Sequence, residues 1–95
     1  MATYIVLLDY TDQGIRNLED SPHRADAFNA FAEQAGVRIL GQYWTIGSHD
    51  GVLVMEAPTE EKAASILLKL GTSGNVRTTT LRAFDWAEAQ GLIGS

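Results

Sequence analysis

Ile5-Val6-Leu7-Leu8 and Val52-Leu53-Val54-Met55 are apolar at both parities. Successive side chains of an extended strand point to opposite faces, so each segment, as a strand, has two apolar sides to hide. Their surroundings suit strands. "TYIVLLDY" (3–10), "VRILGQYWTI" (37–46), "GVLVMEA" (51–57) and "VRTTTLRAF" (76–84) are rich in β-branched and aromatic residues and hold no proline. Two helical stretches separate them. Ala25, Phe28, Ala32 and Ala35, with Phe31 beside them, recur at three- and four-residue spacing. Ser21 suits the N-cap of that helix, Pro22 its first position and Gly36 its stop. Ala63, Ile66, Leu67 and Leu70 form a second stripe behind a Thr59 cap, with Glu60 and Glu61 in the first turn and Gly71 at the close. "TDQGIRNLEDSP" and "TSGN" read as connections. "DWAEAQGLIGS" reads as a short helical turn and a tail loosely attached from about residue 86, with Trp86 its docking anchor.

The resulting order, β-α-β-β-α-β, predicts an α+β, ferredoxin-like fold. Its four-stranded antiparallel sheet carries two helices on one face, with the first and third strands central. Ninety-five residues make one domain, 1–95. Two helices cover one side of such a sheet, yet both central strands are apolar on two sides. Four exposed side chains of this kind would forgo roughly 6–12 kcal/mol at ~1.5–3 kcal/mol each. That is comparable to the ~5–15 kcal/mol stability of a whole small domain. A second copy packed sheet to sheet is the simplest cover, a two-fold and self-complementary contact. The chain is therefore expected to be a homodimer or a larger homo-oligomer built on one.

Charge and composition narrow the partners. Twelve acidic residues against seven basic ones give a net charge of −5, with no run of Lys or Arg, which disfavours nucleic acid. The chain holds no cysteine, so disulfides and thiolate metal sites are excluded. No stretch approaches the ~18–20 apolar residues of a membrane span, and the N-terminus carries no secretory pattern. A cytoplasmic protein with no membrane partner is expected.

Three blocks, "ATYIVLLDYTDQGIRN", "YWTIGSHDGVLVMEAP" and "GNVRTTTLRAF", resemble the GYD domain family, small proteins of poorly defined function in the dimeric α/β-barrel group of ferredoxin-like folds. The resemblance runs from Ala2 to about Phe84 and implies that fold and dimerisation. In the family's G-x-Y-D signature Gly47 and Asp50 match, while His49 occupies the tyrosine position. Within the wider group some members are cofactor-free oxygenases, some bind haem and some sense ligands, so the fold does not choose among activities.

Candidate site residues cluster near strand ends. "GSHDG" reads first as a hairpin turn, with Gly51 tolerating positive φ and Asp50 bonding nearby backbone amides. His49 beside a carboxylate is the candidate catalytic base. His23 is the only other histidine and falls in the first turn of the first helix, so no metal site is expected. Arg77 and Arg82 lie at opposite parity on the last strand, one a solvated edge residue and the other facing the space between the paired sheets, where it pairs with Glu56 or binds an anion. Arg16 reads as solvated. Tyr43 and Trp44 also alternate, one packing under the helices and the other on the open face with Tyr4 or Tyr10. Tyr43, Trp44, Asp50, Glu56, Arg77 and Arg82 are thus the candidate ligand-binding residues. Three functions are compatible with this pattern, none needing a cofactor: binding of a small molecule between paired sheets; a cofactor-free oxygenase or isomerase using His49; or a purely structural assembly subunit.

Overall fold

The computed structural model describes residues 1–94. Strand β1 (Ala2–Tyr10) is followed by the short helix α1 (Asp12–Arg16), a 3-10 turn (Leu18–Asp20) and helix α2 (Ser21–Gln34). Then come β2 (Arg38–Trp44), β3 (Gly51–Ala57), α3 (Glu60–Thr72), β4 (Val76–Ala83) and α4 (Trp86–Ile93). The sheet order is β2-β3-β1-β4, all neighbours antiparallel, so the two strands with apolar residues at both parities are the central ones.

Register assigns the faces. Tyr4 pairs with Met55, Val6 with Leu53 and Leu8 with Gly51, while Ile5 pairs with Val54 and Leu7 with Val52. The first set packs beneath α2 and α3, with Val6, Leu53 and Met55 at or below 1% exposure. Ala32, Ala63, Ile66 and Leu67 close the core from the helix side. The second set is half-buried and faces away. The molecule measures 49 × 31 × 17 Å, a thickness that fits one helix layer on one sheet.

Local signals explain most boundaries. Thr59 caps α3 by accepting from the Lys62 N–H at 3.1 Å. Gly36 ends α2 at φ +80°. Four expectations are corrected. Ser21 is the first helical residue rather than the cap, because the 3-10 turn winds directly into α2 through Asp20 (φ −86°, ψ −3°). The stop after α3 is Gly74 at φ +80°, since the helix continues through Gly71 to Thr72. The segment after β1 is not plain loop: Thr11 caps α1 by accepting from the Gly14 N–H at 3.1 Å. Gly14 lies against the Asn75 carbonyl, where a Cβ would collide with backbone. Finally, α4 begins with a capping box between Asp85 and Glu88. Trp86 in it is 78% exposed, so it is no anchor onto its own chain.

Strand β2 carries a bulge between Ile39 and Gly41, with Leu40 the extra residue. Before it, Ile39 pairs with the inward Met55; after it, Gly41 pairs with the outward Val54. The strand's alternation is thereby reset for Gln42, Tyr43 and Trp44.

Candidate functional site

A cleft of about 470 Å³ opens between α2, α3 and the ends of β1, β2 and β3. Its walls are largely apolar: Leu8 and Leu53 from the sheet, Phe28 and Phe31 from α2, and Leu70 from α3. It lies on the helix side of the sheet. The ligand space expected from the sequence was on the other side, between paired sheets. The reason lies in the helices: α2 presents small residues, Ala25 and Ala27, along the wall where it crosses the strand ends, leaving room above the sheet.

The polar end of the cleft is built around Ser21. Its hydroxyl accepts from Trp44 Nε1 at 3.0 Å and shares a hydrogen bond of 2.7 Å with the Tyr10 hydroxyl. Indole nitrogen is a donor only, so the direction of the first bond is fixed. Asp50 completes this end: its Oδ2 accepts from the Tyr10 N–H at 2.8 Å, and its own N–H donates to the Leu8 carbonyl at 2.8 Å. The carboxylate ties the β2–β3 connection to the end of β1 instead of bonding within its own turn. That connection spans residues 45–50, closed by Thr45 N–H to the Asp50 carbonyl (3.0 Å) and by the Thr45 hydroxyl to the His49 carbonyl (2.7 Å). Its positive-φ glycine is Gly47 (φ +117°), not Gly51, so "GSHD" belongs to a six-residue loop rather than a tight Asp-Gly turn.

Of the sequence-derived candidates, Trp44 and Asp50 reach the cleft and Tyr43 borders it from β2 with its side chain on the open face, whereas His49, Glu56, Arg77 and Arg82 do not line it. Trp44 pairs across from Gly51 and turns under the helices; Tyr43 pairs with Val52 and is 62% exposed on the open face. Tyr4 and Tyr10 both lie on the helix side, so neither accompanies Tyr43. The Nδ1 of His49 sits 3.1 Å from Asp9 Oδ1, a carboxylate on β1, and not against its neighbour Asp50. Such a pair orients an imidazole and leaves Nε2 for proton transfer, at a place outside the cleft. Glu56 pairs with Arg38 on the adjacent strand at 3.4 Å. The arginines of β4 lie two strands away, beyond β1. Arg82 lies over the Phe84 ring at 4.3 Å and donates to the Thr3 and Ala83 carbonyls. Arg77 is exposed, in register with Asp9.

Sequence reasoning missed Ser21, Tyr10, Arg24 and Lys69 as cleft residues. Tyr10 shares parity with Leu8, a visible signal; Ser21 was absorbed by the cap reading. Among the described residues no group of three or more His, Cys, Asp or Glu is placed to hold a metal ion. No helix among them is long and apolar enough to cross a membrane.

A two-layer ferredoxin-like domain with an internal apolar cleft defines the class. The GYD domain model matches residues 4–93, and the chain belongs to that family. It is 38% identical over 89 residues to the "glutamine synthetase and cystathionine beta-lyase binding protein" of Thermus thermophilus, covering 93% of this chain and 94% of that one. Two crystal structures share the fold. An FFRP structure matches at TM-score 0.64 and 16% identity, over 88% of this chain and 100% of that one. The protein TTHA0845 from Thermus thermophilus matches at TM-score 0.56 and 22% identity, over 90% and 95%.

Proposed function

We propose that this protein is a binding module that works as a pair of chains and takes a small molecule with an apolar body into the cleft beneath α2 and α3. The cleft itself carries the reading. At about 470 Å³ it falls within the ~300–1,000 Å³ range of ligand pockets, with apolar walls and polar groups gathered at one end. The pairing is supported by the open sheet face, where Ile5, Leu7, Val52 and Val54 are joined by Tyr43 and Leu81, the latter 46% exposed. Cytoplasmic residence follows from the sequence reading. A thermal-shift screen of metabolites tests the cleft: a ligand at 100 times its Kd adds ~2.7 kcal/mol to stability. A screen with no stabilising compound, together with a Trp44 emission that no compound alters, would remove the reading.

A second reading is favoured by the whole-length relative, whose name gives it two enzymes as binding partners. On this reading the present chain also docks onto metabolic enzymes, glutamine synthetase first among them. Sedimentation of the purified chain with purified glutamine synthetase tests it, and independent migration of the two would dismiss it.

A further inference from the structure

The cleft reverses the charge balance of the chain. Over the whole sequence Asp and Glu outnumber Lys and Arg by twelve to seven. On the cleft wall two cations, Arg24 and Lys69, face a single carboxylate, Asp50. That carboxylate already accepts a backbone hydrogen bond from Tyr10. Lys69 sits at the rim with Nζ 5.0 Å above the Phe31 ring, its stem along apolar surface. Arg24 donates from Nη1 to the Asn17 carbonyl at 2.8 Å. Its Nη2 is shut off from solvent and has no partner. A guanidinium nitrogen withdrawn from water and left unpaired carries a desolvation cost that an arriving acceptor recovers.

The hydroxyl pair points the same way. Ser21 and Tyr10 bring two hydroxyl hydrogens, and the bond between them uses one. Trp44 supplies its own hydrogen to Ser21. One hydroxyl hydrogen is therefore left over, whichever way the Ser21–Tyr10 bond runs. The polar end of the cleft holds surplus donors: Nη2 of Arg24 and one O–H. Surplus donors and a positive balance call for an acceptor-rich, negatively charged group.

We infer that the cleft, as the binding site proposed above, is built for a small carboxylate with an aromatic or branched apolar body. The carboxylate lies at the Ser21–Tyr10 end, reached by Arg24 once its head group turns from the wall, and the apolar body lies between Phe28, Phe31 and Leu8. Arginine suits this task because its planar fork matches the two oxygens of a carboxylate.

The test uses the full chain carrying Trp86→Phe, so that emission reports on Trp44, with calorimetry in parallel. Phenylacetate, indole-3-acetate and 4-methylpentanoate are each titrated against their primary amides, and phenethylamine serves as the cation of matching shape. At least one acid is expected to bind tenfold or more tightly than its amide. Arg24→Gln should remove that preference while leaving amide binding within about twofold, and Arg24→Lys should restore part of it. Lys69→Gln should weaken the acid two- to threefold, in keeping with a rim charge. If Arg24→Gln lowers the melting temperature, the acid-to-amide ratio within that variant still reads the assignment. Equal binding of acids and amides would overturn the carboxylate assignment and leave the cleft as an apolar binding site. Preference for phenethylamine would overturn it in favour of Asp50 as the recognising group. Binding of none of the seven compounds would also overturn it, and the wider metabolite screen then decides separately whether the cleft binds anything.

Discussion

The two faces of the sheet are made from the same strands and the same residue types, yet they do different work. On the helix side Val6, Leu53 and Met55 are sealed by Ala32, Ala63 and Ile66. On the other side Ile5, Leu7, Val52 and Val54 form an apolar strip that stays half-buried, with neither α2 nor α3 laid over it. The contrast separates two uses of apolar strand surface. One face stabilises the single chain; the other, on the pairing proposed above, stabilises a contact with a second copy.

Matched truncations on the two faces break or sharpen that contrast. Leu53→Ala removes a side chain 1% exposed and should cost about 2–5 kcal/mol in urea or thermal unfolding. Its cost should be the same at any protein concentration. Ser21→Ala strips Trp44 and Tyr10 of their shared partner and should cost about 1–3 kcal/mol, with a shift in Trp44 emission as its optical signature. Leu7→Lys, on the open face, should cost under about 1.5 kcal/mol in dilute solution, about half the value of a fully buried leucine. The same change should drop the sedimenting mass from that of a pair to that of one chain. If wild-type protein already sediments as one chain at micromolar concentration, the open face is not a self-contact. Arg38→Ala breaks an ion pair whose arginine side chain is 72% exposed, and its effect on unfolding should stay below about 1 kcal/mol.

The order of elements was legible because apolar residues recur at helical spacing in α2 and α3 and β-branched and aromatic runs mark the strands, and that order placed β1 and β3 at the centre. Shorter elements were not. Helix α1 spans five residues, too few for a periodic stripe, although Thr11 three residues before Gly14 is a cap spacing. Asp85 and Glu88 likewise show the capping-box spacing of α4 in plain sequence. The site was half legible. Trp44 and Asp50 stood out as residue types, but their surroundings depend on long-range register. Asp50 bonds Tyr10, 40 positions away, and His49 finds Asp9 at the same separation. Neither pairing leaves a local trace. Glu56 was matched to the wrong strand because parity says which face a residue shares, not which strand lies beside it.

The bulge at Leu40 has a consequence for how this pocket can change over generations. Were the strand regular, with Leu40 itself opposite Val54, Tyr43 would stand opposite Gly51 and turn inward beneath α2, and Trp44 would face outward. Closing the bulge with Leu40 retained would therefore exchange the aromatic lining of the cleft, and simultaneously the aromatic on the open face, without replacing any amino acid in either place, whereas loss of Leu40 would leave both where they are.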